Sequence, residues 1–135
     1  MALSISKIRG ITPTHAGNLK KHGLSNIDKY LAATRTAEMR RQLAQKLGVE
    51  EKMILEHANR CDLARINGIG SSFSNLLENA GVDTVLELSK RVPDHLHEKL
   101  AETNVGKRYS HRNPTLKEVK SWVSQAKRLH KMLEY

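Results

Sequence analysis

Apolar residues recur every three or four positions along most of the chain, and no segment alternates convincingly between apolar and polar residues. This spacing is typical of helices that bury one face. Thr12 followed by Pro13 is a helix start, because Thr caps helix N-termini and Pro fits the first turn. The predicted longer helices cover residues 13–23, 36–47, 50–59, 71 or 72 to 81, 94–103 and 115–133. We therefore expect an all-α protein.

Two short segments predict sharp corners between helices. Gly23-Leu24-Ser25 and Gly81-Val82-Asp83 each place a helix-ending glycine, an apolar residue and a candidate N-cap, Ser25 or Asp83, for a further helix.

Phe73 and Trp122 lie among apolar residues at helical spacing, so we expect both in the core.

The chain contains an internal duplication. Ile8-Arg9-Gly10-Ile11 and Ile66-Asn67-Gly68-Ile69 begin two segments that stay in step without gaps for about 24 residues. The matches fall on glycines and apolar positions, which specify backbone geometry and core. We predict one repeat over residues 1–62 and a second over 63–135, which ends in an amphipathic helix, and we expect the two to form one compact unit.

Composition restricts the class of protein, its cellular compartment and its kind of partner. The 135 residues include 23 Lys and Arg against 14 Asp and Glu, a formal net charge of +9. A hydrophobic content of 39% is enough for a core and excludes a disordered chain. No apolar run reaches the roughly 20 residues that span a bilayer, and the N-terminus is too polar for a signal peptide. We expect a cytoplasmic protein without membrane association, whose positive charge suits a polyanion such as nucleic acid.

The sharpest local motif is Leu63-Ala64-Arg65-Ile66-Asn67-Gly68-Ile69-Gly70, followed by two serines, Phe73 and Ser74. It resembles the helix-hairpin-helix motif. In that family a short helix, a hydrophobic-Gly-hydrophobic-Gly turn and a second helix hold a DNA backbone without reading sequence. Ser74 takes the position of the small residue that the family has four places after the second glycine. The first repeat matches more loosely, because Thr12 stands where the second glycine should be.

The resemblance implies a phosphate site at the second hairpin. Glycine lets the backbone approach a ligand closely, and the following helix presents unpaired N–H groups and a positive dipole end. The residues implied are Gly68, Ile69, Gly70, Ser71 and Ser72, with Gly10, Ile11 and Thr12 as weaker counterparts in the first repeat. Family members often also seat a potassium or sodium ion among the turn carbonyls. A monovalent cation at Gly68–Gly70 is therefore the one cofactor that the resemblance implies.

Many DNA-binding copies of the motif carry Lys or Arg where this chain has Ser71 and Ser72. This departure weakens the expected electrostatic contact with phosphate. The alternative is that the turn serves only as a tight helix corner, with Ile66 and Ile69 in the core.

Taken over nearly the whole chain, the pattern resembles an uncharacterised bacterial family, a domain of unknown function, of duplicated helix-hairpin-helix proteins. Besides the two hairpins, the residues that carry the resemblance are the run over 80–88, Asn113-Pro114 and the segment 122–126. The resemblance implies tandem helix-hairpin-helix (SAM-like) repeats that form a compact helical domain. It implies fold more firmly than function, since the members are assigned to DNA binding mainly by analogy.

A basic stretch follows the second hairpin. The last predicted helix begins with Thr115 and Glu118 at the spacing of a capping box. Its lysines lie roughly 130° around the helix from its apolar face. The candidate phosphate-attracting residues are Lys107, Arg108, Arg112, Lys117, Lys120, Lys127 and Lys131. A solvated surface stripe without a ligand is the alternative.

Signals of catalysis are absent from the sequence. It has no phosphate-cradling Gly-x-x-x-x-Gly-Lys motif, no nucleophile elbow and no zinc signature. We therefore predict a non-enzymatic protein that binds duplex DNA without sequence preference, as a monomer or homodimer, and that would be associated with the nucleoid. RNA stays open as a ligand, because phosphate contact does not distinguish the two polymers. The alternative function is a helical adaptor or scaffold that binds another protein.

Overall fold

The computed structural model describes residues 2–135. Within that range eight α-helices form and strands are absent, apart from an isolated β-bridge between Ser4 and Asn26. The predicted all-α class is confirmed. The chain divides into two units, of which the first has the residues up to Ala64 together with Lys131–Tyr135 and the second has Arg65–His130. None of the helices in the described range is long and apolar enough to cross a membrane.

The first unit begins with a short 3₁₀ helix. Its elements are the 3₁₀ helix Ile5–Lys7, α1 (Pro13–Lys21), α2 (Ile27–Ala33), α3 (Ala37–Leu47) and α4 (Glu51–Leu63). Side-chain oxygens of Thr12, Asn26 and Thr36 cap α1, α2 and α3. The prediction of Ser25 as the cap of α2 is wrong by one residue, because the Ser25 carbonyl accepts the N–H of Ile5 (3.0 Å) and Asn26 follows as the cap.

Aliphatic side chains fill the core of the first unit around Tyr30, whose hydroxyl donates to the carbonyl of Ile54 (3.4 Å). Arg40 is only 5% exposed. Its guanidinium donates to the carbonyls of Thr34 (2.8 Å) and Glu134 (2.7 Å), which satisfies a buried charge with fixed acceptors. These bonds tie the C-terminal residues to the first unit.

The second unit contains four helices, which are α5 (Ser71–Asn79), α6 (Val85–Ser89), α7 (Pro93–Gly106) and α8 (Leu116–Arg128). Thr84 caps α6 by accepting the N–H of Glu87 (3.0 Å), so the prediction of Asp83 as this cap is also wrong by one residue. The predicted capping box of α8 is confirmed. Thr115 Oγ1 accepts the N–H of Glu118 (3.1 Å), and the Glu118 carboxylate accepts the N–H of Thr115 (2.9 Å).

Helix α8 ends at Arg128, five residues before the predicted end at residue 133. The backbone becomes extended at Leu129 (ψ 143°). The apolar Leu133, which suggested a longer helix, is buried in the core of the first unit. Glu134 then donates its N–H to the carbonyl of Arg35 (2.8 Å). The last residues thus form an extended segment of the first unit.

Trp122 is the largest buried side chain of the second unit and is 1% exposed. It packs with Phe73, the ring centroids being 5.2 Å apart. The prediction of a core position is confirmed for Trp122, whereas Phe73 is half-buried. This packing joins α8 to α5.

Candidate nucleic-acid interface

Two glycine turns share one backbone geometry, and we call residues 8–11 the first turn and residues 66–69 the second turn. In each, the N–H of the last isoleucine donates to the carbonyl of the first isoleucine, over 3.1 Å and 3.3 Å respectively. The glycine between them has φ of +91° at Gly10 and +99° at Gly68, as position three of a type II β-turn requires. The isoleucines are buried and the glycines are exposed. Each turn therefore exposes the backbone at its glycine, while its two buried isoleucines anchor it in the core.

Helix α5 begins after the second turn with Gly70 as its N-cap, and no side chain caps it. The carbonyl of Gly70 accepts the N–H of Ser74 (2.9 Å). The N–H groups of Ser71, Ser72 and Phe73 precede the first intrahelical bond and have no acceptor within the helix. Ser71 and Ser72 are exposed. Three uncapped donors at the positive end of a helix dipole form a favourable environment for an anion.

Helix α1, which follows the first turn, begins differently. Its N-cap Thr12 uses Oγ1 to accept the N–H of His15 (3.1 Å). Its first residue, Pro13, has no N–H to offer. Among the first three residues of α1, the N–H of Thr14 is left to bind a ligand. Of the two predicted hairpin sites, the one with Gly68, Ile69, Gly70, Ser71 and Ser72 thus has more available donors than the one with Gly10, Ile11 and Thr12.

The second turn is held against α8 by a pair of hydrogen bonds. The Gln125 side chain accepts the N–H of Asn67 through Oε1 (2.9 Å) and donates from Nε2 to the carbonyl of Asn67 (3.0 Å). Gly68 lies directly over Trp122, since a Cβ built on Gly68 would be 3.0 Å from Nε1 of the indole. The turn and the helix therefore form one fixed surface.

An open groove of about 720 Å³ lies beside this surface. Gly68, Ser121 and Gln125 line it together with two arginines, Arg65 and Arg128. Arg65 donates from Nη1 to the carbonyl of His130 (2.9 Å), just beyond α8. Two guanidinium groups thus line the groove next to the exposed glycine turn.

Cationic and titratable side chains surround the first turn. Arg60 of α4 donates from Nη1 to the carbonyl of Arg9 (2.9 Å), and a side chain in place of Gly10 would clash with this guanidinium. His57 is 3% exposed, and its ring centroid is 5.5 Å from that of His15. Burial, followed by the positive charges of His15 and Arg60, lowers the pKa of His57 to about 4. Two side chains of its own unit, those of Arg60 and His57, therefore contact the backbone of the first turn.

Three predicted lysines of α8 share one exposed face. Lys117, Lys120 and Lys127 lie within roughly 80° of one another around the helix axis. Lys131 does not belong to this face, because it lies beyond the end of α8 in the extended segment of the first unit. The structure thus places three lysines of the four on one helix face.

The loop between α7 and α8 is ordered by one buried side chain, that of Asn104, which is 8% exposed. Its Nδ2 donates to the Ser110 carbonyl (3.1 Å) and to Oδ1 of Asn113 (2.9 Å). Its Oδ1 accepts the N–H groups of Tyr109 (2.8 Å) and Ser110 (3.2 Å). The predicted residues Lys107 and Arg108 are exposed on this loop.

Arg112, another predicted residue of the loop, has its charge neutralised by Glu118. The guanidinium donates from Nη1 and Nη2 to the two carboxylate oxygens, over 2.7 and 2.9 Å. It also lies 5.1 Å from the centroid of the Phe73 ring. The bonds from Arg112 and from the Thr115 N–H lower the pKa of Glu118 to about 2. Arg112 therefore supports the loop rather than adding free positive charge.

Sequence reasoning missed Arg65, Ser121, Gln125 and Arg128 as groove residues. Arg128 follows Gln125 by three positions, so both are near one side of α8. The sequence shows that spacing, but it does not predict that Gln125 contacts a turn 58 residues away. This contact places the turn with Gly68 beside the same groove that Arg128 lines.

The second turn also bears on the implied cation site. The carbonyls of Ile66 and Asn67 already accept hydrogen bonds, from Ile69 N–H and Gln125 Nε2. Within residues 2–135, His, Cys, Asp and Glu side chains nowhere gather in a group of three that would hold a metal ion.

Comparison with known proteins gives one family match. No curated protein and no solved structure is significantly similar to the chain. The sequence model of a family described as a domain of unknown function, DUF4332, matches residues 9–129, most of the chain. The exposed turn, the uncapped α5 and the lysines of α8 all lie within that match. The protein therefore belongs to the DUF4332 family.

Proposed function

We propose that the protein is a non-enzymatic DNA-binding protein that contacts the phosphate backbone of duplex DNA without reading its sequence. Its two glycine turns are interpreted as tandem helix-hairpin-helix motifs, and the second is the principal contact. The observation that carries this proposal is the start of α5, where the N–H groups of Ser71, Ser72 and Phe73 follow an N-cap glycine that has no side chain. Backbone donors of this kind fix the position of a duplex and carry no sequence information.

The charge distribution supports the same ligand. The chain carries a formal net charge of +9. Lys117, Lys120 and Lys127 share an exposed face of α8, and Lys107 and Arg108 are exposed on the loop before it. Such cations raise affinity through release of counterions from DNA and make binding steeply dependent on salt.

The first turn has a lesser part in the proposal. Thr12 and Pro13 remove two of the first three N–H donors of α1 from use. Arg60 and His57 already contact the backbone around Gly10. Gly10, Ile11 and Thr12 are therefore proposed as a weaker phosphate contact.

The first experiment measures binding of the purified protein to a labelled random duplex by fluorescence anisotropy at about 50 and 200 mM salt. Single-stranded RNA is measured in parallel. We expect submicromolar or micromolar binding to the duplex at the lower salt concentration and a steep loss at the higher one. Absence of binding at both salt concentrations would refute the proposed function.

The site is tested with Ser72→Glu. A carboxylate in the first turn of α5 stabilises the helix by about 0.3–1 kcal/mol through the dipole, yet it repels phosphate. We expect the affinity for duplex DNA to fall about tenfold or more without loss of folding. Thr14→Glu is the matched comparison at the weaker contact, because Thr14 has the same position in α1, and we expect a smaller loss of affinity there. If Ser72→Glu binds as tightly as the wild type, the N-terminus of α5 is not the phosphate contact.

The α8 face is tested by replacing Lys117, Lys120 and Lys127 together with Gln. Affinity should fall alike for all DNA sequences, and the slope of log K against log salt should decrease by about 3. A control variant with Gln at Lys46, Lys52 and Lys99, exposed lysines of α3, α4 and α7, has the same net charge. Equal losses in both variants would mean that net charge, and not this face, attracts the DNA.

The alternative function, a helical adaptor, would be favoured by a continuous apolar patch. The exposed large apolar side chains are Leu3, Leu86, Val92, Val105 and Tyr135. They lie in separate segments of the described chain, and single exposed apolar residues are normal on protein surfaces. The exposed polar turn and the cationic face favour nucleic acid.

A further inference from the structure

The groove beside the second turn has a lining suited to an anion. Its polar residues include Arg65, Arg128 and Ser121, whose hydroxyl accepts a hydrogen bond from Nε2 of Gln125 (3.2 Å) and keeps its own proton to donate. None of the residues that line it is acidic. The floor of the groove is fixed, because the Gln125 amide holds the peptide of Asn67 through both its N–H and its carbonyl.

The side chain of Arg128 has no hydrogen bond or ion pair with any residue that the structure describes, and the residue is exposed. The first unit offers an informative comparison. There the carbonyl before the turn glycine, that of Arg9, accepts its bond from the guanidinium of Arg60 (2.9 Å). In the second unit the amide of Gln125 takes this role. The guanidinium of Arg128 is thereby left available beside the turn.

Arg65, which also lines the groove, is held in place by a hydrogen bond. Its Nη1 donates to the carbonyl of His130 (2.9 Å), two residues after Arg128. Guanidinium groups bind phosphate through planar pairs of N–H donors. An arginine whose position is already fixed loses less conformational entropy when it binds.

Arg128 is also aligned with a residue of the proposed DNA-binding face. Lys117 lies eleven residues earlier on α8, which is roughly 20° around the helix and about 16 Å along its axis. Ser121 lies between them and lines the groove. A strand of phosphates that crosses the groove can therefore continue along α8 to Lys117.

We propose that this groove seats a phosphodiester group of the nucleic-acid backbone, bound by Arg128 with Arg65 beside it. The inference rests on the proposed function and adds a contact that lies outside the hairpin itself. The volume of about 720 Å³ exceeds that of one phosphate, and the groove is open to solvent. It therefore suits a polymer backbone that passes through, with Ser121 available to donate its hydroxyl proton to a phosphate oxygen.

The test compares Arg128→Gln with Lys99→Gln by fluorescence anisotropy on the same labelled duplex at about 50 mM salt. Each variant removes one positive charge from an exposed position of the second unit. We expect Arg128→Gln to weaken binding about tenfold and Lys99→Gln less than about twofold, because a bidentate charged contact is lost in the first and only diffuse attraction in the second. Arg128→Lys keeps the charge without the planar pair of donors, and we expect an intermediate loss of about threefold.

Two results would overturn the inference. If the wild type binds DNA and Arg128→Gln equals Lys99→Gln, the groove is not a phosphate seat, while the proposed function stands. If the wild type does not bind the duplex at all, the proposed function fails and the groove fails with it. Thermal unfolding followed by circular dichroism checks that each variant is folded, and Arg128→Lys provides the comparison if Arg128→Gln is unstable.

Discussion

Gly68 is the position at which a single methyl group should reveal how tightly the second turn and α8 fit together. Its φ of +99° lies in the region that L-residues with a side chain avoid. A Cβ there would be 3.0 Å from Nε1 of Trp122. Gly68→Ala therefore combines backbone strain with a steric conflict against a buried ring.

The expected cost has two parts. A left-handed conformation costs an L-residue about 1–2 kcal/mol. Trp122 is 1% exposed and packs against Phe73, so its movement away from the new methyl group adds about 1–3 kcal/mol, as overpacking does in other cores. Restriction of the unfolded chain by alanine offsets about 0.4–1 kcal/mol. The net expectation is a loss of roughly 1–4.5 kcal/mol in the free energy of unfolding, with a middle value near 3.

Urea unfolding followed by tryptophan fluorescence measures this change, because the chain has one tryptophan and it lies in the second unit. Gly70→Ala is the matched control. Gly70 has a negative φ of −90°, and its Cβ would meet nothing within 4 Å. We expect this control to change the free energy of unfolding by less than about 1 kcal/mol. Equal unfolding midpoints for Gly68→Ala and Gly70→Ala would refute the reasoning about the turn.

Three further predictions concern the ordered loop and two titrating groups. Asn104→Ala removes a buried amide that makes four hydrogen bonds, so we expect a loss of about 2–4 kcal/mol and faster amide exchange at Tyr109, measured by NMR. Glu118 has its pKa lowered from 4.5 to about 2 in the folded state, so its contribution to stability should be present above pH 4.5 and be lost as the pH falls towards 2. In urea unfolding over that pH range, Glu118→Gln should lose less of its free energy of unfolding than the wild type does. His57 has its pKa lowered from 6.5 to about 4, so its contribution should likewise be lost as the pH falls through that interval, and its Hε1 resonance should titrate near pH 4 rather than near 6.5.

The helices were predictable because their signals are local. The capping box at Thr115 and the Pro13 helix start each depend on residues within one turn, and both are present in the structure. The end of α8 was not predictable in the same way. Leu133 continues the apolar pattern of the helix, yet it is buried in the core of the first unit, and tertiary burial overrides local periodicity.

Part of the candidate site was equally visible in the sequence. The positive φ of Gly68 and the exposure of Ser71 and Ser72 agree with the geometry that the motif implies. The sequence did not show which positive side chains are paired with a carboxylate. Arg112 looked like a free charge in a basic loop, but its bidentate pairing with Glu118 depends on the path of a loop that the buried Asn104 helps to fix. Charge counted along a sequence cannot distinguish a neutralised guanidinium from an available one.

The distinction matters for a hairpin that has serines where many DNA-binding copies have Lys or Arg. In the proposed mode of binding, Ser71 and Ser72 contribute N–H and hydroxyl donors, while the positive charge comes from Arg128 and the lysines of α8. The donors and the charges can bind one duplex together only if α8 stays at a fixed distance from the turn. The hydrogen bonds of Gln125 to Asn67 hold that distance. Gln125→Ala should therefore weaken DNA binding although Gln125 need not touch the DNA. A double-mutant cycle tests this effect. In the Gln125→Ala background, the coupling energy between Ser72→Glu and Arg128→Gln in DNA binding should be smaller than in the wild type, because contacts on surfaces that move independently contribute additively to the binding free energy.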